Sequence, residues 1–286
     1  MARVLVTAAP GNVGREVVGE CARRGLVVRV AGRTEGAARG RFPEHEAARV
    51  DFLDRGTWPG ALAGCDLVFL VRPPPISDVA ATLHPFIDAA YAAGVQHIVF
   101  LSVAGADQRS WVPHRKVELH PRSSGEAWTV LRPGFFAQNL QDAYRRDILE
   151  DGRLYVPAAR GRVAFIDVRD AAEIAGRIFE DPGSFRGQAL TLTGPEAVTF
   201  DEAAALLSAA LGRSIRNEPA SMLGYAAHLR RTRSMEWTQI LVQTVLHVGI
   251  RRGDAALVDP TVERLLGRRA RTLAEYIEHA APIWRR

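Results

Sequence analysis

Short apolar, β-branched runs alternate with longer stretches of helical spacing through the first half of the chain. Residues 3–7, 27–31, 67–71, 98–102 and 128–131 are brief and largely apolar throughout, the pattern of strands covered on both faces. Between them, residues 12–24, 79–93 and 115–124 have helix-like spacing and stop at Gly25, Gly94 and Gly125. This alternation predicts a doubly wound, mostly parallel α/β sheet with the carboxyl ends of its strands along one edge. After residue 150 the rhythm changes. Residues 163–166, a helix over 170–180, a strand over 189–193 and a helix over 200–211 read as the sheet's last additions, and 214–286 as mainly helical with breaks at Pro260 and Pro282. The expected division is a nucleotide-binding sheet domain over 1–155, completed by a strand near 188–193, and a small substrate-binding cap over 156–286.

Composition narrows the class. A chain of 286 residues, 47% hydrophobic and 24% charged, can bury one sizeable core and a small annex. No apolar run approaches the ~18 residues of a membrane span, and no basic leader precedes the first strand, so a soluble, cytoplasmic protein is the default expectation. Cys21 and Cys65 are too few and too far apart for a disulfide framework and read as packing residues. The net charge of +5 is spread evenly: residues 1–150 carry 18 basic and 16 acidic side chains, residues 151–286 carry 19 and 16. That distribution points to a small-molecule substrate rather than nucleic acid, handled by a monomer or homodimer. No histidine pair has metal-ligand spacing, so no metal is expected. Of 37 basic residues 36 are arginine, and Lys116 is the single lysine. Either chance retained it or a site needs a compact ammonium rather than a planar guanidinium.

Candidate chemistry gathers at the predicted strand ends. The stretch VTAAPGNVG, residues 6–14, has the form of a dinucleotide-binding turn in which Gly11 and Gly14 fill the second and third glycine places and Ala8 the first. Ala8 suits that place if its φ is negative, and Pro10 removes one N–H that might face a phosphate. Asn12, Val13 and Gly14 open the helix whose free N–H groups face an anion. The second strand ends in Arg33 with no acidic residue, which favours a 2′-phosphate and hence NADP(H), although Arg33 can also be a solvated loop residue. Asp51 is a candidate for the adenine amino group, Val71, Arg72 and Pro73 line the crevice at the next strand end, and Ser102 places a hydroxyl at the one after.

The run His114-Arg115-Lys116-Val117-Glu118, followed by WTVLRPGFFAQN at 128–139, resembles the NmrA-like branch of atypical short-chain dehydrogenases, with the ergot-alkaloid (festuclavine dehydrogenase-like) reductases nearest. The turn at 6–14 and residues 69–75, 100–107 and 162–170 extend the resemblance over nearly the whole chain. It implies a Rossmann domain binding NADP(H) and a smaller C-terminal substrate region. Carried onto this sequence, Gly11, Asn12, Val13 and Gly14 cradle the pyrophosphate, Arg33 takes the 2′-phosphate, and Lys116 the nicotinamide ribose. Ser102, Pro133, Phe135 and Phe136 line the nicotinamide side, and Phe136, Gln138, Asn139 and Ile166 face substrate. Ala8, Pro10 and Arg72 depart from the family's usual residues.

Typical short-chain dehydrogenases place a tyrosine four residues before the lysine; here that residue is Val112. His114, Tyr155 and Asp167 are substitute acids to weigh against ordinary structural roles. The missing acid favours acceptors that need only hydride or take a proton from solvent: C=N, activated C=C, or quinone-like C=O. The leading expectation is an NADPH-dependent reductase of a bulky, largely apolar secondary metabolite. A redox-neutral cyclase or isomerase, and a non-catalytic NADP-binding regulator, are the alternatives.

Overall fold

The computed structural model describes residues 1–233 and 235–285. By packing, the chain divides into one unit of residues 1–133 and 168–192 and a second of residues 134–167 and 193–286. The first unit's opening segment ends at Pro133, where the sixth strand ends, and the helix over 168–180 belongs to that unit.

The first unit holds a seven-stranded parallel sheet. Its strands are β1 (Arg3–Val6), β2 (Val27–Gly32), β3 (Glu46–Arg49), β4 (Leu67–Val71), β5 (His97–Leu101), β6 (Trp128–Pro133) and, later in the chain, β9 (Gln188–Leu192), in the spatial order β3-β2-β1-β4-β5-β6-β9. The order reverses at β1 and β4, where a doubly wound sheet opens its crevice. Helices α1 (Asn12–Arg23), α2 (Glu35–Arg41), α3 (Trp58–Leu62), α4 (Leu83–Ala92), α5 (Pro113–Ser124) and α6 (Val168–Glu180) complete it. Val13, Val17, Val18 and Cys21 make the buried face of α1, which packs on α6. Elsewhere Trp58 and Phe52 meet Phe86 of α4 edge-on, with centroids 5.6 and 5.0 Å apart. Full burial of each such side chain contributes ~1.5–3 kcal/mol. Cys21 and Cys65 are both buried; burial pushes the Cys21 thiol up to about 12 and also raises Cys65.

Two sequence expectations change here. Glu46–Arg49 is an edge strand with no buried residue, so no apolar run announces it. Residues 163–166 do not extend the sheet: within them only Val163, with Arg162, forms a strand, and it pairs in the second unit.

That second unit contains β7 (Arg153–Leu154), paired parallel with β11 (Arg216–Asn217), and β8 (Arg162–Val163), paired antiparallel with β10 (Val198–Thr199). Its helices are α7 (Phe200–Leu211), α8 (Met222–Arg233), α9 (Trp237–Arg251), α10 (Thr261–Leu266) and α11 (Leu273–Ala280). Capping boxes start α7 at Thr199 with Glu202 and α11 at Thr272 with Glu275, satisfying N–H groups that the helix itself cannot. The core is aromatic, with Tyr144, Phe165, Phe200, Tyr225, Tyr276 and Trp284 buried. Within it His247 is fully buried; its Nδ1 donates to the Gln243 carbonyl at 2.7 Å and its Nε2 accepts from the Tyr144 hydroxyl at 2.6 Å. Burial pushes its pKa down to about 4, so it is neutral at physiological pH.

Candidate functional site

The loop after β1 is held by its own backbone. Thr7 N donates to Phe69 O and Ala9 N to Ala31 O, each at 3.0 Å, and Gly11 N closes the turn on Ala8 O at 2.9 Å. Ala8 takes a φ of +51°, so the residue expected to need a negative φ occupies the left-handed region instead. A Cβ on Gly14 would stand 2.3 Å from the Ala8 oxygen, and one on Gly11 3.2 Å from it. Glycine at 14 is thus obligatory for α1 to start against this carbonyl. Gly11 caps α1 in extended conformation, and the first turn carries neither an acidic residue nor a side-chain cap. The N-terminal dipole end of α1 accordingly faces no carboxylate of its own first turn.

At the end of β2, Arg33 is exposed and has no ion-pair partner among the described residues. Its neighbour Thr34 caps α2 by accepting from Ala37 N, and Glu35 is paired with Arg39. Asp51 follows β3; its Oδ1 accepts from Leu53 N at 3.0 Å and its carbonyl from Trp58 Nε1 at 2.9 Å. Val71 N donates to the Thr7 hydroxyl at 2.9 Å, tying the ends of β1 and β4 together.

Arg72 turns back on its own loop. Its Nη1 donates to the carbonyls of Pro73 and Pro74 at 3.1 and 3.2 Å and to that of Ile76, while its Nε donates to His114 Nε2 at 3.3 Å. Burial lowers the Arg72 pKa. Since Nε2 of His114 accepts, the proton of the neutral ring sits on Nδ1. Burial, and then the Arg72 charge, push the His114 pKa down to about 3.

Ser102 lies 2% exposed, and its hydroxyl donates to Glu118 Oε1 at 2.6 Å. Glu118, fully buried on α5, also accepts from Arg132 Nε at 3.1 Å and Nη2 at 2.6 Å, and Arg132 Nη1 reaches Asp107 Oδ2 at 2.9 Å. This cluster binds α5 to the ends of β5 and β6. The sequence reading missed Glu118 and Arg132 as a pair, although a charge inside the apolar run of β6 was the available signal. On α5 the buried positions are Val117, Glu118 and Pro121, with His114 on the same side. Lys116 falls on the exposed side, where its carbonyl lies 3.2 Å from His84 Nε2. The structure therefore brings His114, not Lys116, to Arg72 at the end of β4.

In the second unit, Phe135 meets Phe165 edge-on at 5.6 Å and His247 at 6.3 Å. Phe136 bridges to Ile166, which is wholly buried, and Gln138 Nε2 donates to the buried Asp167 at 3.0 Å. Asn139 is half-buried. Tyr155, also half-buried, carries the Arg153 guanidinium 4.5 Å from its ring and meets His228 edge-on at 5.2 Å. Pro133 is the buried last residue of β6, and its carbonyl accepts from Ala104 N at 2.8 Å.

A sequence model of the NmrA-like family matches residues 1–227. The chain belongs to the NmrA-like family. An NAD(P)H azoreductase of Xenophilus azovorans is 35% identical over 97% of this chain and 98% of its own. An agroclavine dehydrogenase of Claviceps fusiformis is 29% identical over 82% of this chain and 83% of its own. Among solved structures, an NADPH-dependent quinone oxidoreductase of Escherichia coli in complex with NADPH aligns with a TM-score of 0.85 at 25% identity, covering 97% of this chain and 99% of that one. For this NmrA-like chain the β1–α1 loop and the β2 end pass a physical test for a phosphorylated dinucleotide: a helix N-terminus without an acidic first turn, and an arginine with no ion-pair partner among the described residues, the nearby Glu35 being held by Arg39.

Proposed function

We propose that the protein is an NADPH-dependent reductase of a bulky, largely apolar metabolite whose acceptor bond is conjugated: a quinone, an azo group, an activated C=C or a C=N. Its standing as an NADP(H)-dependent oxidoreductase rests on its family, on the azoreductase relative and on the NADPH-bound structural neighbour. The finer reading rests on one observation, that the side-chain donors predicted at the sheet edge are engaged or weak: the Nδ1–H of His114 has no partner, but it belongs to a neutral imidazole. Ser102 gives its proton to Glu118, His114 is neutral and accepts from Arg72, and position 112 is valine.

Bound NADPH supplies hydride. The α1 N-terminus and the amides near Gly11 hold its diphosphate, and Arg33 takes the 2′-phosphate as a charge-assisted pair. Ser102 has its proton held by Glu118 and His114 keeps only the N–H of a neutral imidazole, so neither serves as an acid for an isolated alkoxide, a step for which a general acid typically contributes about 10²–10⁴ in rate. A conjugated acceptor spreads the incoming charge over several atoms and takes its proton from solvent, so that loss is not incurred.

The test compares acceptors of similar size. NADPH oxidation followed at 340 nm with a naphthoquinone and an azo dye is expected to exceed that with an unconjugated ketone by at least about 10². With the quinone, kcat should stay level between pH 6 and 8.5. Equal turnover of the ketone, or a kcat governed by one ionisation in that range, would defeat the proposal.

A further inference from the structure

Helix α9 leaves an apolar face in solvent. Trp237, Leu241, Val242, Val245 and Leu246 are 63%, 64%, 59%, 47% and 53% exposed, and Leu223 of the adjoining α8 is 85% exposed. Positions 237, 241 and 245 stand four apart, as do 242 and 246, so they form a continuous stripe. The opposite side of α9 is used in the unit's own core through Ile240, His247 and Ile250. Between Glu236 and Arg251 the helix carries no acidic or basic side chain other than the buried His247. A helix bathed in water is ordinarily polar on its outer face, and a contiguous apolar patch of this extent marks an interaction surface.

We propose that this face is a two-fold interface between two copies of this chain. The ends of the helix supply the argument. Its N-cap, Glu236, is exposed and acidic, and its C-terminal Arg251 and Arg252 are exposed and basic. A two-fold axis across the stripe runs the two helices antiparallel and sets Glu236 of one copy against Arg251 and Arg252 of the other, twice. Between these ends α9 itself adds no charge to the stripe, while the Arg230 guanidinium of α8 stands 6.0 Å from the Trp237 ring at the Glu236 end. The five α9 side chains exposed by about half or more offer an apolar centre of roughly 500 Å², and a polar rim brings this toward the ~800 Å² per partner of a standard interface. A membrane surface is the competing occupant. Helices that lie on anionic lipid carry basic side chains along their flanks, whereas the flanks here are Gln239, Gln243 and Thr244.

Sedimentation velocity of the full chain between 1 and 100 µM tests the proposal. The expected species at the upper end is a dimer of the 31.3 kDa chain. Leu241→Glu should raise the dimer dissociation constant at least about 100-fold while leaving the far-ultraviolet circular dichroism and NADPH binding unchanged. Glu236→Arg should weaken association about tenfold, and adding Arg251→Glu with Arg252→Glu should restore it. A monomeric wild type at 100 µM, a dimeric Leu241→Glu, or no recovery in the charge-reversed triple variant would overturn it. So would a monomeric wild type that co-sediments with phosphatidylcholine/phosphatidylglycerol vesicles through Leu241, which would reassign the face to lipid.

Discussion

Two halves of one sheet edge use polar groups in opposite ways. Beside β1 and β2 the donors are open: the α1 N-terminus meets no acidic residue in its first turn, and Arg33 has no ion-pair partner among the described residues. Beside β5 and β6 they are closed: Ser102, Arg132 and Asp107 converge on or around buried Glu118, and Arg72 folds onto its own loop and His114. Open donors suit a ligand that brings its own negative charge. Closed donors fix geometry and withhold protons, which suits hydride transfer to an acceptor able to keep the charge itself.

The largest way to break this contrast is Glu118→Ala. It leaves Arg132 buried beside Asp107 alone, and urea unfolding should show a loss of about 3–5 kcal/mol. Acid acts on the same half through His114. Its folded pKa lies below the 6.5 of the free side chain, so the unfolded chain binds the proton first and stability falls as pH drops from 6.5 toward about 3. Between pH 7 and 4.5 the His114 share of that loss is about 2–3 kcal/mol, seen as a smaller drop in the urea midpoint of His114→Gln than of wild type. On the open half, Arg33→Ala should raise KM for NADPH about 10- to 100-fold and leave KM for NADH within about twofold.

Ala8→Gly has the opposite sign. Relief of a left-handed alanine returns ~1–2 kcal/mol, and the freer unfolded glycine takes back ~0.4–1, for a net gain of up to about 1.6 kcal/mol in thermal unfolding. Smallest of all is Lys116→Ala, expected to leave kcat and KM for NADPH within about twofold because the side chain lies on the outer face of α5. A tenfold KM rise there would return the ribose contact to Lys116 and erase the assignment of that face.

Six of the seven sheet strands were legible: five because buried parallel strands are written as largely unbroken apolar runs, and β9, an edge strand that buries only Leu190 and Leu192, from a weaker alternating mark. Glu46–Arg49 was not, since an edge strand with no buried side chain leaves no such mark. The run at 163–166 reported burial but could not report its partner, and its strand pairs with β10 rather than the sheet. In the site, Gly11 and Gly14 were readable because only glycine meets a backbone that closely. The face of α5 was not. Glu118 is buried against Ser102 and Arg132, contacts between elements distant in sequence that no spacing on α5 announces.

The two cysteines acquire a meaning from the chemistry proposed. Quinones and activated alkenes arylate or alkylate free thiolates, and an enzyme handling them risks consuming itself. With Cys21 held at about 12, Cys65 also raised, and both sulfurs buried, neither offers such a nucleophile at neutral pH. On the proposed substrate class, burial of both thiols would keep them out of reach of such electrophiles.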